Sequence, residues 1–253
     1  MQKLELSIII GTYNQKEALE KVLLGFNEQS YDKDKFEVIV VDSSSTDGSQ
    51  ELIKSFTANY HFLPIVQQNQ GKTGARNRAI SESRSDIILI TDADMIPHKD
   101  LVKCHIEAHR NISQPACFEG LTYNLKTLEW PTHYENCSSY IRKDYKPLTK
   151  LGWYYFLTGN ISLPKQVFLQ NKGFDQDFKG YGWEDLELGY RLSKKNIPLY
   201  YLKSAINYHY HVITEEEEIE RNIKKGESAK IFLSKHPELK LFLGLNPLSI
   251  FLF

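Results

Sequence analysis

A chain of 253 residues is long enough to bury a substantial core as one large α/β domain, which excludes a small stapled scaffold. Its 31 basic and 32 acidic residues nearly cancel to a formal net charge of −1, and no long basic run occurs. A generic nucleic-acid binder is therefore excluded, and any anion must be bound locally.

The N-terminus, Met1 to Leu6, runs straight into a strand-like segment without an apolar signal region, so a cytoplasmic location is expected. Cys104, Cys117 and Cys137 are an odd number without metal-type spacing and read as reduced thiols. "LSIII" at 6–10, "FEVIVV" at 36–41 and "DIILI" at 86–90 are apolar runs of strand length, as expected of strands buried on both faces. Helical patterns at 15–28 and 47–60 separate them, so a mainly parallel sheet flanked by helices is the predicted fold. Each strand ends in a polar cluster: "GTYNQ", "DSSSTDGS" and "TDADMIP". Open α/β sheets bind ligands at the carboxyl ends of their strands, so the three clusters converge on one site.

In extended backbone Asp92 and Asp94 share one side while Ala93 points to the other, giving two carboxylates for a hard cation such as Mg²⁺ or Mn²⁺. "QGKTGARN" at 70–77 contains the Gly-Lys-Thr of a phosphate-binding P-loop, but Val66 stands where that pattern needs glycine. The segment from Gly74 onward reads instead as a helix whose first N–H groups, with the Arg76 guanidinium, can meet a diphosphate. By this reading Arg76 and Gly74 matter more than Lys72 and Thr73.

From Glu119 to Phe156 the chain is rich in aromatic residues, mostly core material, with a minority able to line an acceptor groove. "TGNISLPKQVF" at 158–168 reads as a turn, a strand and a helix starting at Pro164. In "GYGWEDLELGYRL" two glycines precede Trp183, and Glu184 and Asp185 open a helix anchored by Leu186, Leu188 and Leu192. First-turn carboxylates have a capping explanation, yet the glycine-rich approach also suits a carboxylate that takes a proton from a hydroxyl. "NYHYH" places His209 and His211 on one strand face, where either can complete a metal site; Thr214 and Glu217 fit a capping box.

In this order "SIIIGTYNQ", "VVDSSSTDGS", "NQGKTGARNRAI", "TDADMIP", "TGNISLPKQVF", "GYGWEDLELGYRL" and "YHYH" resemble the family 2 glycosyltransferases of GT-A fold. The last large motif resembles the acceptor-side segment of chondroitin-synthase-like and galactosyl- or N-acetylgalactosaminyltransferase-like members. The resemblance implies a nucleotide-sugar donor, usually a UDP-sugar, with Thr12, Tyr13 and Asn14 at the nucleoside and Asp42 and Ser44 near the base. It places Gly74 and Arg76 by the ribose or diphosphate, Asp92 and Ala93 along the donor, and Asp94 on a Mn²⁺ or Mg²⁺ ion with His209 or His211. Asp185 is the implied base of an inverting hexosyl transfer, with Glu184 and Trp183 on the acceptor side. "IGTYN" departs from the proline that many members carry before the threonine.

The expected organisation is a donor-binding half, 1–112, an acceptor-binding half of the same domain, 113–235, and an apolar segment, 236–253. That last segment is shorter than the ~20 residues needed to span a bilayer, which leaves peripheral membrane contact at the inner face and a glycan or lipid-linked acceptor as the expectation. The rival enzymatic reading, a sugar-nucleotide pyrophosphorylase, calls for a glycine- and arginine-rich loop after the first strand, which "GTYNQ" does not supply. A second rival is a catalytically silent carbohydrate-binding protein of the same fold.

Overall fold

The computed structural model describes residues 3–127, 137–139, 145–210 and 214–243. Within these, strand β1 (Leu6–Thr12) is followed by helix α1 (Lys16–Asn27), which turns Ala18, Leu19, Val22, Leu23 and Phe26 inward. Strand β2 (Phe36–Asp42) is buried at every position. Helix α2 (Ser49–Ser55) is shorter at both ends than the 47–60 pattern predicts. Asp47 accepts the Ser49 N–H from outside the helix, and Phe56 is already extended. The freed residues lead into strand β3 (His61–Val66), which the sequence pattern does not reveal. It is an edge strand, only partly buried and interrupted by Pro64, so it has neither the apolar run nor the alternation of a central strand.

Helix α3 (Gly71–Glu82) starts three residues before the predicted Gly74, and strand β4 (Ile87–Asp92) follows. The chain turns at Ala93 and Asp94 into the short strand β5 (Met95–Pro97), then forms helix α4 (Leu101–Arg110) and strand β6 (Cys117–Leu125). Strands β7 (Lys150–Leu151) and β8 (Asn160–Pro164) precede helix α5 (Lys165–Gln170). Pro164 is the N-cap of α5 rather than its first residue, because its ψ of 130° still belongs to the strand. Helix α6 (Glu184–Lys194), strand β9 (Leu199–Tyr210) and helix α7 (Glu215–Lys235) complete the core; α7 opens on the Thr214–Glu217 capping box, both of whose bonds form.

The described strands make one nine-stranded sheet in the order β3-β2-β1-β4-β8-β6-β9-β5, with β7 on β9. From β3 to β4 all pairings are parallel; β8 joins β4 and β6 antiparallel, β6 and β9 run parallel, and β5 returns antiparallel on β9. Strands from both halves of the chain thus share a sheet, which carries a buried apolar cluster on each face. A third cluster, around Phe178, Tyr190 and Phe232, seats the C-terminal part of α7. The three cysteines are free thiols. No helix among the described residues is long and apolar enough to cross a membrane.

Candidate active site

Parallel pairing aligns the ends of β1, β2 and β3, so the polar residues just past them lie side by side at one end of the sheet. Asp42 is fully buried; its Oδ1 accepts the Ser45 N–H at 2.9 Å, and its Oδ2 has no hydrogen-bond partner. Thr12 Oγ1 and Gln67 Nε2 are likewise buried without partners. Burying a polar group without compensation is unfavourable, so three such atoms at one strand edge mark a place built for a polar ligand. Asn14 and Ser44 hold left-handed backbone at φ 51° and 63°. Asn14 donates its N–H to Ser45 Oγ and accepts the Thr46 N–H, while Ser44 Oγ donates to the Gln67 carbonyl. These two therefore shape the loops, and Tyr13 stands half exposed beside them.

The Asp92–Ala93–Asp94 segment ends in a turn rather than continuing as the extended backbone expected, and Asp94 still lies close enough for its charge to act on Asp92. Because the chain bends there to feed β5, the two side chains take separate partners. Asp92 receives Arg76 Nη2 at 2.5 Å and Lys72 Nζ at 3.0 Å. Burial raises the Asp92 carboxyl's pKa, but the charges of Arg76 and then Lys72 outweigh it and hold the group below its ordinary value. Ala93 is fully buried in the core, so its side chain cannot line a donor site.

Arg76 is the largest fully buried side chain described. Its Nη1 lies 3.3 Å from Glu184 Oε1 and its guanidinium 5.5 Å from the Phe174 ring centroid. It joins two carboxylates inside the protein, and the cation with an exposed side chain at this edge is Lys72, 39% exposed. Gly74 lies within the first turn of α3, where a Cβ would come 2.7 Å from Gln70 Cβ, so glycine has a packing reason there. Gly11 likewise allows β1 to approach α3, since its Cβ would lie 3.2 Å from Ala75 Cβ.

Across Arg76 stands the start of α6. Gly182 and Trp183 both have positive φ, 85° and 71°, an abrupt turn that presents Glu184 and Asp185 at the helix N-terminus. The non-glycine residue in that conformation is strained, as often at functional sites. Trp183 packs its ring 4.9 Å from Phe232, so most of it belongs to the third apolar cluster. Leu188 and Leu192 anchor α6 as predicted, while Leu186 is only partly buried. Burial, and then the charge of Glu184, pushes the Asp185 carboxyl up to about 7, against the opposing pull of the Leu186 N–H, Arg76 and Lys72. A carboxylate poised there is matched to proton abstraction near neutral pH.

Behind Asp185, sequence reasoning missed Glu119 on β6. It is buried, accepts the Leu157 N–H at 3.1 Å, and is pushed well above the ordinary carboxyl range by burial, with the Asp185 charge adding to the shift. No motif surrounds it; the one available signal was a lone acid in a strand otherwise buried on both faces.

Asp94 meets β9 because β5 pairs with it: Met95 faces His209 in register, and the Tyr210 N–H donates to the Asp94 carbonyl. His209 Nε2 lies 3.4 Å from Asp94 Oδ2, and its Nδ1 lies 3.3 Å from Asn124 Oδ1, which fixes the ring. Gln15 Nε2 also reaches Asp94 Oδ2 at 3.3 Å. Among the described residues no three His, Cys, Asp or Glu side chains converge as a metal cage. One carboxylate and one oriented imidazole still fit a divalent cation that takes its other ligands from phosphate oxygens and water. His211 lies outside the described residues.

The family model described as glycosyl transferase family 2 matches residues 7–170, and that described as the N-terminal domain of galactosyltransferase matches residues 140–215. The uncharacterized glycosyltransferase YfnE of Bacillus subtilis (strain 168) is 27% identical over 251 residues, covering 80% of this chain and 64% of that protein. The chain spans 60–65% of the length of three such relatives. Among solved structures, S. aureus TarS 1–349 in complex with UDP superposes with a TM-score of 0.65 at 18% identity, covering 82% of this chain and 61% of that one. The mannosyltransferase PcManGT from Pyrobaculum calidifontis, in complex with GDP-Man and Mn²⁺, superposes with a TM-score of 0.59 at 21% identity, covering 83% and 57%. At these identities the likeness shows the fold, a mixed α/β sheet of GT-A type.

Proposed function

The chain belongs to glycosyl transferase family 2, whose model matches more than half of it, and from that premise we propose that it moves a sugar from a nucleotide diphosphate sugar, with UDP as the nucleotide, to a hydroxyl of a glycan or lipid-linked acceptor. One observation carries this reading: carboxylates from the β4 end, Asp92, and from the start of α6, Glu184, meet on the single buried guanidinium of Arg76. Donor edge and candidate base are thereby held in one rigid frame, as a two-substrate transfer requires.

In this proposal the unpartnered atoms of Thr12, Asp42 and Gln67 receive the edge of the base, with Tyr13 alongside. Asp42 Oδ2 accepts a ring N–H, and Gln67 Nε2 donates to a ring carbonyl, a pattern that uracil completes. Lys72, paired with Asp92 yet 39% exposed, supplies positive charge to the diphosphate. Asp94 and His209 would hold Mn²⁺ or Mg²⁺, which would supply Lewis-acid stabilisation of the leaving diphosphate. Asp185 takes the proton from the acceptor hydroxyl, whose oxygen attacks the anomeric carbon opposite the diphosphate. The C1–O bond to the diphosphate breaks with its electron pair leaving on the diphosphate, and configuration inverts. Glu184, fixed by Arg76, orients the acceptor beside the base.

Exposed Leu241 and Phe242, leading into the apolar run 244–253, support an acceptor presented at a membrane surface. Thermal-shift measurements with UDP, GDP and their sugars, with and without Mn²⁺, test the donor. A metal-dependent stabilisation by UDP-sugars is expected through linkage, and stabilisation by ATP alone would overturn the proposal. Transfer that proceeds equally well to soluble glycans, with no binding to liposomes, would remove the membrane part.

A further inference from the structure

Helix α7 buries one side only. Ser228 and Phe232 face the protein, and a Cβ on Gly180, in the loop before α6, would lie 3.1 Å from Ser228 Oγ. On the opposite side Ile219 and Ile223 are each 60% exposed. With Gly226, Lys230 and Leu233 they recur at spacings of four, three, four and three residues, which keeps all five on one seam. That is the pattern by which two helices pack side by side. The first four positions are exposed, and Leu233 is partly covered by the cluster around Phe232.

Gly226, at the centre of the seam, has no task in the chain's own fold. Its φ is not positive, and a Cβ there would meet nothing within 4 Å outside α7 itself. Glycine weakens a helix interior more than any residue except proline, so its place on an exposed apolar seam suits a close approach from outside.

Charge selects the direction of that approach. Glu215, Glu216, Glu217 and Glu218 fill the first turn, whereas Lys224, Lys225, Lys230 and Lys235 lie in the second half. Glu220 is paired with Lys224 of its own helix at 3.9 Å, and Glu227 stands three residues before Lys230. A parallel copy would set Glu216 on Glu216, Lys230 on Lys230 and Gly226 on Gly226, giving two repulsions and a gap. An antiparallel copy sets acidic turns beside basic ones and brings each Ile223 over the other copy's Gly226. Each Lys230 stem then lies along the other copy's Ile219 with its ammonium toward Glu216. Opposed helix dipoles favour the same direction.

We infer that α7 is the two-fold interface of a homodimer, formed when this seam packs antiparallel on a second copy of the chain. The other occupant of an exposed apolar stripe, an anionic bilayer, is disfavoured by the acidic first turn. A helix of 21 residues is about 30 Å long, and one such contact lies at the low end of interface size, so the dimer is weak, with a Kd on the order of 10 µM. The loop before Asp185 packs on the far side of α7, so this pairing leaves it uncovered.

Sedimentation velocity of the full chain tests the dimer, and wild type should pass from monomer to dimer between about 1 and about 300 µM. Ile223→Asp should weaken association more than about 30-fold, and Gly226→Leu, which fills the space that the other copy's Ile223 needs, more than about 10-fold. Melting at about 1 µM, where the chain is monomeric, should leave Ile223→Asp unchanged and Gly226→Leu at or above the wild-type Tm, because leucine is the better helix former and the monomer has room for it. Glu216→Lys and Lys230→Glu should each weaken the dimer about 5-fold, and the double variant should restore it, a rescue that parallel pairing cannot give. A chain that stays monomeric at about 300 µM, an association that survives Gly226→Leu, or a double variant that fails to recover overturns the inference. Ile223-dependent binding of a monomeric chain to phosphatidylserine vesicles overturns it in favour of a membrane.

Discussion

Two buried polar clusters flank strand β8, and they are built on opposite principles. Behind it, Ser162 Oγ lies 2.8 Å from His105 Nδ1 and 2.9 Å from His109 Nε2, and Asn160 Oδ1 lies 2.9 Å from His105 Nε2. Asn160 also donates to the Leu121 and Ala205 carbonyls. Burial pushes His105 down to about 4 and His109 to about 3, so this cluster is uncharged at neutral pH, and none of the buried polar side-chain atoms of His105, Asn160 or Ser162 lacks a partner. In front, Lys72, Arg76, Asp92 and Glu184 are charged, and Arg76 Nε and Glu184 Oε2 are buried without partners. The rear cluster pins α4 to the sheet. The front one retains unused hydrogen-bonding capacity and a carboxyl tuned to neutrality, the signature of a site that expects a ligand.

The largest effect that would break this contrast is expected at Asp185. Asp185→Asn should lower kcat by about 10²- to 10⁴-fold, the usual worth of a general base, while the Kd for UDP changes less than about 2-fold. In the unaltered protein kcat should rise with pH through about 7, because Asp185 must lose its proton to act. The stability sign runs the other way. A carboxyl whose folded pKa is raised destabilises the fold progressively as pH climbs above its unfolded value of 3.8, and the cost is complete above about 7. Thermal denaturation should therefore find Asp185→Asn more stable than wild type at pH 8 and little changed at pH 4. An equal kcat in the variant would remove Asp185 from the chemistry.

Next in size is Arg76→Met, which leaves Asp92 and Glu184 without their shared cation. Breaking a buried ion pair from one side costs about 3–5 kcal/mol, so urea denaturation should show a loss of that order. A loss below about 1 kcal/mol would mean that the front cluster is as replaceable as surface charge.

Much of this arrangement was legible in the sequence, and what was hidden has identifiable causes. The apolar runs at 6–10, 36–41 and 86–90 are buried strands, and the Thr214–Glu217 capping box forms as spaced, because both signals are local. Strand β3 was invisible because an edge strand with a proline needs only its neighbour's hydrogen bonds. The direction of Asp92 against Asp94 depends on β5 leaving for β9, a pairing between residues more than a hundred positions apart. The burial of Arg76 was hidden because its partner Glu184 on α6 lies more than a hundred residues along the chain. Glu119 carries no motif; only the packing of β6 against the loop at Leu157 gives it meaning.

In the rear cluster, Ser162→Ala removes one hydroxyl that serves two histidines. It should cost about 1–3 kcal/mol in urea denaturation, the range for leaving buried groups unsatisfied, with kcat of the folded enzyme within about 2-fold of wild type. A large loss of kcat without loss of stability would make the rear cluster part of the site and erase the contrast drawn between the two.

The smallest effect expected is also the most discriminating. Glu119 lies near both clusters' shared strands, buried like the rear one and acidic like the front one. Burial, and then the Asp185 charge, raises its carboxyl pKa and so favours the protonated acid, whose hydrogen bond to the Leu157 N–H needs only a carbonyl-type oxygen. An amide supplies that oxygen, so Glu119→Gln should leave the pH midpoint of kcat near 7 and shift Tm by less than about 1 °C, whereas Glu119→Ala leaves the N–H unpaired and costs about 1–3 kcal/mol. Were Glu119 ionised beside Asp185, the amide would instead remove a negative charge and move the midpoint to lower pH. A downward shift in the pH profile of Glu119→Gln would therefore make Glu119 a charged member of the front cluster; an unchanged profile keeps it a neutral brace for the loop that backs Asp185.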